Sequence, residues 1–474
     1  MNDTHATQGL RRAMGFGDVA LFFITAGVNL QWVATAAAAG PIAVTFWIVA
    51  FLTMTIPLGL SVIELSSRYP QEGGLYSWSK QAFGDFSAFI AGWSYWTSNL
   101  PYFPGVLYFA AANALFAFGD SGRALSDSIP YFLGASLVGL AFATGLNLVG
   151  LGVGKQLNNA GAVARWLATA GLVAMGVLAY THSGSATEFT LQTMTPRGGI
   201  KDLLFLSTIV FALTGLEAAS FMGDEIRDPR RTIPRAIFVA GPLVPLIYLV
   251  GTVSVLVALP AGEVSSLQAI MEAMSSAGER LGIPAVAPLT AILIAVSALG
   301  SVGAWLGATA RIPFVAGIDR YLPKSFGKVH PKWHTPHIAL LTEAAIAVVC
   351  VLAAQAGSTV RSAYDLLVSM TIITFLIPFL FLYLSLIKVQ RKPVGPEVRR
   401  VPGGKPVAIL VGSVGFAVTL VATVFSFLPP ADEPRKLFYS VKLFVLTLLL
   451  LGAGAGLYGV GRRRQESASS TSRR

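Results

Sequence analysis

The chain has 474 residues, 54% of them hydrophobic and only 12% charged, with a mean hydropathy of +0.66 and a formal net charge of +11. Soluble domains carry about a quarter charged residues, so this composition excludes an ordinary soluble protein and describes an integral membrane protein. The single cysteine, Cys350, excludes an internal disulfide and any zinc site built on paired cysteines.

Apolar runs of about 20 residues recur along the chain, each long enough to cross about 30 Å of hydrocarbon as a helix. They predict an all-α membrane protein of about twelve transmembrane helices, not the alternating pattern of a barrel. The spans fall near 18–37, 42–66, 86–118, 129–149, 160–180, 202–223, 235–259, 285–312, 337–354, 363–388, 407–428 and 438–460. The tail 1–17 carries Arg11 and Arg12, and the apolar run after it lacks a small-residue cleavage site. That run reads as a retained first span, with the N-terminus inside.

Alternate loops are then cytoplasmic and receive most of the 34 Lys and Arg residues, as the positive-inside rule requires. The clusters RRTIPR, KVQRKP and GRRR read as anchors beside anionic lipid. The positive charge therefore reports topology, and no segment resembles a nucleic-acid module. Short loops place residues 18–180 in a first five-helix unit, 202–388 in a second, and 407–460 in helices eleven and twelve. Outside loops fall at 181–201 and 260–284, the second with an amphipathic stretch, SSLQAIMEAMSSAGERL. The C-terminal tail, 461–474, ends in QESASSTSRR, polar and small enough to be disordered on the cytoplasmic side.

Span one contains ITAGVNLQW, with Gly27 beside Asn29, and span six contains FALTGLEA, with Gly215 beside Glu217. Most glycines in membrane helices serve close packing. Interruptions at corresponding positions of two halves instead point to an inverted-repeat transporter, because each break frees backbone groups that must line a cavity. Helix N-termini attract a carboxylate and unwound carbonyls accept from an ammonium, so such a cavity suits a zwitterion.

Three stretches resemble the amino acid–polyamine–organocation superfamily of transporters: ELSSRYPQEGGLYSWSKQAFG after span two, FALTGLEAASFMGDEIRDPRRTIPRAI across span six, and GSVGAWLGATARIPFVAGIDRYLPKSFGKVHPKWHTP across span eight. The resemblance implies a LeuT-like fold of five-plus-five inverted repeats with broken helices one and six, plus two extra helices. It implies substrate binding between the broken spans. The family's Gly-Ser-Gly break falls on Ala26, Gly27 and Val28, a departure that leaves one freely left-handed position. Backbone N–H groups of Gly27 and Val28 are the implied carboxylate ligands, and carbonyls of Ile24, Phe211 and Thr214 the implied amine ligands. Phe211 takes the place of the family's substrate-covering aromatic, followed by Ala212, Thr214 and Gly215 along the break. Trp305 matches an aromatic near the pocket of arginine/agmatine exchangers. A single aromatic on a membrane helix is more commonly packing or lipid-facing, so the family register carries both assignments. Asn99 of span three either faces the pocket or bonds a neighbouring helix.

An acid in a membrane span is costly to ionise. Glu217 occupies a position linked to pH sensing in related exchangers; the alternative is a structural acid bonded to nearby backbone. Arg165 aligns with a lysine that many members place where sodium-coupled relatives bind their ion. A guanidinium there effectively cannot lose its proton, so Arg165 is expected to donate to the freed carbonyls of span one, with no sodium required. The alternative is a guanidinium snorkelling to the interface. In the basic exit of span six, Arg227, Arg230, Arg231 and Arg235 read as anchors, and Asp224, Glu225 and Asp228 as solvated acids or a gate. Glu64 reads as structural, and Glu343 has no assigned role.

No clustered catalytic residues, no HExxH spacing among the five histidines and no phosphate-binding glycine loop occur, which excludes an enzyme, a metal centre and an ATP-driven pump and leaves no cofactor to expect. The sequence predicts a secondary transporter of amino acids or related amines in the bacterial inner membrane, with possible proton coupling. The substrate stays open between amino acids, polyamines and glutamate/GABA-type exchange. A transport-silent nutrient sensor or membrane subunit on the same fold is the other reading.

Overall fold

The computed structural model describes residues 14–70, 73–310, 312, 321–393 and 395–471. Arg11, Arg12 and, just after span eight, residues 311 and 313–320 lie outside these residues. Among the described residues, ten helices are long and apolar enough to cross a membrane. They run Ile42–Arg68, Asp85–Phe118, Ile129–Val149, Lys155–Ser183, Pro229–Ala258, Val286–Thr309, His337–Gln355, Val360–Val389, Gly404–Phe425 and Lys436–Glu466. These are the expected spans two to five and seven to twelve. Span one is a bent pair, Phe16–Gly27 and Leu30–Ala37, turned by 44°.

Span six does not form one crossing helix. Ile200–Ala212 is α-helical, Leu213–Glu217 is irregular, and Ala218–Glu225 is a 3₁₀ segment. Irregular backbone at membrane depth persists only where protein or a cavity surrounds it. Accordingly, the flanking spans three and ten are the most enclosed, 78% and 72% buried, whereas span twelve is only 17% buried and lies at the periphery.

At the basic end of span six, the helix Gly74–Phe83 packs against the 3₁₀ segment so closely that a Cβ on Gly74 would lie 2.3 Å from Ser220 Oγ. Met14 forms a parallel bridge with Ile226, and Arg227 donates to the Met14 carbonyl at 2.9 Å. Both contacts cover this end of the broken span. Glu64 fastens the neighbouring elements: buried, it accepts from Arg68 Nε at 2.9 Å, Gln390 Nε2 at 2.7 Å and the Val401 N–H at 2.9 Å.

The amphipathic stretch of the 260–284 loop contains a helix, Ala269–Arg280. The C-terminal tail differs from expectation, since helix Lys436–Thr471 continues through it. No proline or glycine follows Gly461, and an Arg462–Glu466 pair at 2.9 Å supports the extra turns.

Candidate functional site

Spans five and eight cross at two glycines. A Cβ on either Gly161 or Gly300 would lie 2.6 Å from the other's Cα, a separation no side chain tolerates. One turn beyond Gly161 stands Arg165, and Ser297 and Ser301 flank Gly300. The close crossing therefore brings the guanidinium between the two hydroxyls: Nε donates to Ser297 Oγ at 3.3 Å and Nη2 to Ser301 Oγ. Nη1 continues to the carbonyls of Thr25, at 2.6 Å, and Val28, at 2.9 Å. Arg165 is buried, with its charge held against the break in span one.

That break is short. Its first helix runs through Gly27, and only Val28 and Asn29 are extended before the second helix starts. The Val28 N–H still donates to the Ile24 carbonyl at 3.1 Å, so two of the expected substrate ligands satisfy each other. The reason lies in the sequence: with Ala26 and Val28 flanking it, Gly27 alone has glycine's freedom. Tyr248 of span seven bridges the break, donating to the Gly27 carbonyl at 2.6 Å and accepting from the Asn29 N–H at 2.9 Å. Its ring stacks on Trp47 with centroids 4.8 Å apart. The Asn29 side chain caps the second helix through the Gln31 N–H at 3.1 Å and donates to Tyr102 Oη at 2.9 Å. Thr25, Gly27 and Val28 thus spend carbonyls on protein donors. Among the described residues, no donor reaches the Ala26 carbonyl.

In span six, Gly215 adopts φ +112°, where L side chains are strained, and a Cβ there would meet Gly27 Cα at 3.7 Å. The two breaks are in direct apposition. The Phe211 carbonyl accepts both the N–H of Thr214, at 3.0 Å, and its hydroxyl, at 2.7 Å. Glu217 is fully buried and faces back into the break, accepting the Gly215 N–H at 2.8 Å and the Tyr95 hydroxyl at 3.2 Å. Of the acids in the exit loop, Asp228 pairs with Arg231 at 3.5 Å, both exposed, while Arg230 pairs with Glu397. The side chains of Asp224 and Glu225 lie outside the described residues.

Between the breaks lies a cavity of about 50 Å³. A water needs about 10–15 Å³ of such space, so only a small solute fits this conformation. The cavity is lined by Ala26, Gly27, Asn99, Phe211, Ala212, Thr214, Gly215 and Trp305. Ile24 and Val28 do not line it. Asn99 also donates to the Tyr95 carbonyl, one turn back in its own span, at 2.9 Å, so the bond it makes is within span three and not to a neighbouring helix. Phe211 meets Trp32 edge-on at 5.0 Å and Phe375 at 5.2 Å.

Asn29 also lines it, and sequence reasoning missed Trp32, Ser98, Tyr102, Thr371 and Phe375, which complete the wall. Thr371 and Phe375 come from span ten, which carries no break to draw attention to them. No Asp, Glu, Lys or Arg lines the cavity, and the described residues contain no grouping of three or more His, Cys, Asp or Glu able to hold a metal. Glu343 is buried behind span three, where its carboxyl accepts the Trp96 indole N–H.

Comparisons with known proteins agree with this architecture. A family model described as amino acid permease matches residues 12–451. An uncharacterised transporter of Legionella pneumophila is 26% identical over 411 residues, covering 86% of this chain and 88% of the relative. A probable agmatine/putrescine antiporter of Lactococcus lactis is 24% identical, covering 86% of each chain. Among solved structures, MhsT in complex with L-phenylalanine superposes with a TM-score of 0.52 at 14% identity, covering 95% of this chain and all of that one. This chain belongs to the amino acid permease family. It has the fold of the LeuT-like transporters and is a multi-pass membrane transporter, not an enzyme.

Proposed function

We propose that this permease moves a small zwitterionic amino acid with an uncharged side chain by alternating access across the bacterial inner membrane, with its basic loops and both termini in the cytoplasm. The observation that carries the reading is the wall of the cavity, which joins both helix breaks and contains no carboxylate. A diamine or agmatine needs a second anionic partner for its second cation, because a charge held in a low-dielectric site without one is strongly disfavoured. Glu217 spends its oxygens on the Gly215 N–H and the Tyr95 hydroxyl, and the Arg165 guanidinium held against the break in span one is of the wrong sign for a polycation.

In this reading the substrate ammonium turns toward the Ala26 carbonyl and the irregular backbone around Thr214. The carboxylate turns toward the N-terminal end of the second helix of span one, where the helix dipole favours negative charge. Phe211 and Trp305 limit the side chain. Arg165 stands in place of a bound sodium, so no sodium gradient is needed, and Glu217 is the group available to couple transport to protons. The first five-helix unit, 18–180, and the second, 202–388, move as the two inverted repeats around this point.

A second reading, a monovalent or divalent amine held by the aromatic wall of Trp32, Tyr102, Phe211 and Trp305 through cation–π contacts, is favoured by the lining rings. Thermal-shift titration of the purified protein with the twenty amino acids, GABA, agmatine and putrescine separates the two. Stabilisation by small neutral amino acids alone supports the proposal. Stabilisation by putrescine or agmatine alone overturns it.

A further inference from the structure

A second cavity, of about 330 Å³, lies on the far side of span three from the substrate site, between spans three, nine, ten and twelve. Its wall is apolar, and its polar groups are already satisfied. Thr97 and Thr342 bond their own helices, at 2.9 and 2.7 Å, Trp93 Nε1 donates to the Leu450 carbonyl at 2.8 Å, and the Trp96 indole donates to Glu343. A ligand here can offer hydrocarbon and nothing else.

The groove opens outward, with Leu449 and Val349 on its rim each 63% exposed. Along span twelve its wall is built by Leu446, Leu450, Ala453 and Leu457, one face of a helix. At 1.5 Å per residue that face is about 16 Å long, roughly half of a 30 Å hydrocarbon core, the depth of one leaflet. One further heptad places Arg464 on the same face, about 10 Å beyond Leu457. Arg464 is exposed and has no bonded partner among the described residues. Between groove and arginine stands an aromatic collar in which Tyr458 stacks on Tyr321 at 4.8 Å and meets Phe86 at 5.2 Å, the composition of a membrane interface.

We propose that this groove holds one acyl chain of an anionic phospholipid whose phosphate is bound by Arg464. Length, polarity and charge each match one part of that molecule, and a basic site at a helix end is where such headgroups bind.

The test is native mass spectrometry of the full-length protein in detergent, titrated with phosphatidylglycerol or with phosphatidylcholine of the same chains. The wild type should retain one phosphatidylglycerol at an at least fivefold lower lipid concentration than phosphatidylcholine. Arg464→Gln should erase that preference, and Ala453→Trp, which fills the groove, should abolish tight retention. A second measurement needs no variant: Cys350 lines the groove and is the only cysteine, so phosphatidylglycerol should slow its labelling by an apolar maleimide at least threefold more than phosphatidylcholine does. Equal retention and equal protection by the two lipids overturn the proposal. So does undiminished phosphatidylglycerol retention in a folded Ala453→Trp variant, or a dimer that Ala453→Trp dissociates, which would make a second copy the occupant.

Discussion

The Arg165 guanidinium reaches the Val28 carbonyl at 2.9 Å and, through the same nitrogen, the Thr25 carbonyl at 2.6 Å, so a permanent cation from span five occupies the carbonyl end of the break in span one. Removing it leaves two carbonyls without donors, each costing about 1–3 kcal/mol if water cannot enter. Arg165→Ala should lower the melting temperature and reduce uptake into proteoliposomes at least tenfold. Arg165→Lys should retain part of the activity, because an ammonium supplies the charge without the planar fork. Replacing sodium by choline should leave wild-type uptake unchanged; sodium-driven accumulation would show that Arg165 does not stand in for the ion.

The position of that guanidinium depends on the crossing of Gly161 and Gly300. A methyl on either would have to push two backbones apart, and overpacking of this kind typically costs about 1–3 kcal/mol. Gly161→Leu should therefore destabilise the protein and also reduce transport, whereas Gly145→Leu, at a position with open space around it, should do neither. Equal thermal stability of the two variants would contradict the geometry.

The two breaks make different demands on their glycines. At Gly27 φ is ordinary but a Cβ would press on Val244 at 3.2 Å, whereas at Gly215 the space is adequate and φ is +112°. Gly27→Val should abolish ligand binding by displacing Val244 and the first helix. Gly215→Ala should cost about 1–3 kcal/mol through backbone strain alone. Thermal shift with and without ligand distinguishes them: the first loses the ligand response, and the second retains part of it at a lower melting temperature.

Hydrophobic runs of sufficient length made the spans legible in the sequence, and Gly27 and Gly215 marked the two interruptions before any coordinates. How far each helix unwinds was not legible. That depends on partners such as Tyr248, which is 221 residues from the Gly27 carbonyl it bonds, and on Glu217 folding back onto Gly215. The wall from span ten was invisible for a related reason. Thr371 and Phe375 sit in an unbroken apolar helix, and only tertiary packing selects them from their neighbours. The polar tail misled because local polarity argues for solvation, while an i,i+4 ion pair and the absence of breakers let the preceding helix run on.

Phe211 closes one side of the cavity, with its ring against Trp32 and Phe375, and Trp305 closes another. Phe211→Ala removes both edge-on contacts and enlarges the cavity, and burial loss of this kind typically costs about 3–5 kcal/mol. Affinity for the smallest accepted amino acid should fall at least fivefold, while bulkier neutral amino acids should gain relative to it. Competition of radiolabelled uptake by a graded series of side chains measures this. An unchanged order of competitors would remove Phe211 from the specificity-determining wall.

Glu217 accepts one donor on each oxygen, Gly215 N–H on Oε2 and Tyr95 Oη on Oε1, and no cation pairs with it among the described residues. Glutamine can reproduce this pattern: its carbonyl oxygen accepts from Gly215, and its amide donates to Tyr95, whose hydroxyl rotates to accept. Glu217→Gln should therefore keep the fold within about 1 kcal/mol while fixing the side chain in an uncharged state. If Glu217 exchanges a proton as the breaks open and close, the variant's uptake should lose most of its dependence on pH between 5 and 8, and an imposed proton gradient should no longer drive accumulation. Tyr95→Phe is the control. It removes one donor but leaves a titratable carboxyl, so the pH dependence should persist with a displaced midpoint. An unaltered pH–rate profile in Glu217→Gln, measured with stability also unchanged, would assign the carboxylate to holding Gly215 in its left-handed conformation and leave proton coupling to another group.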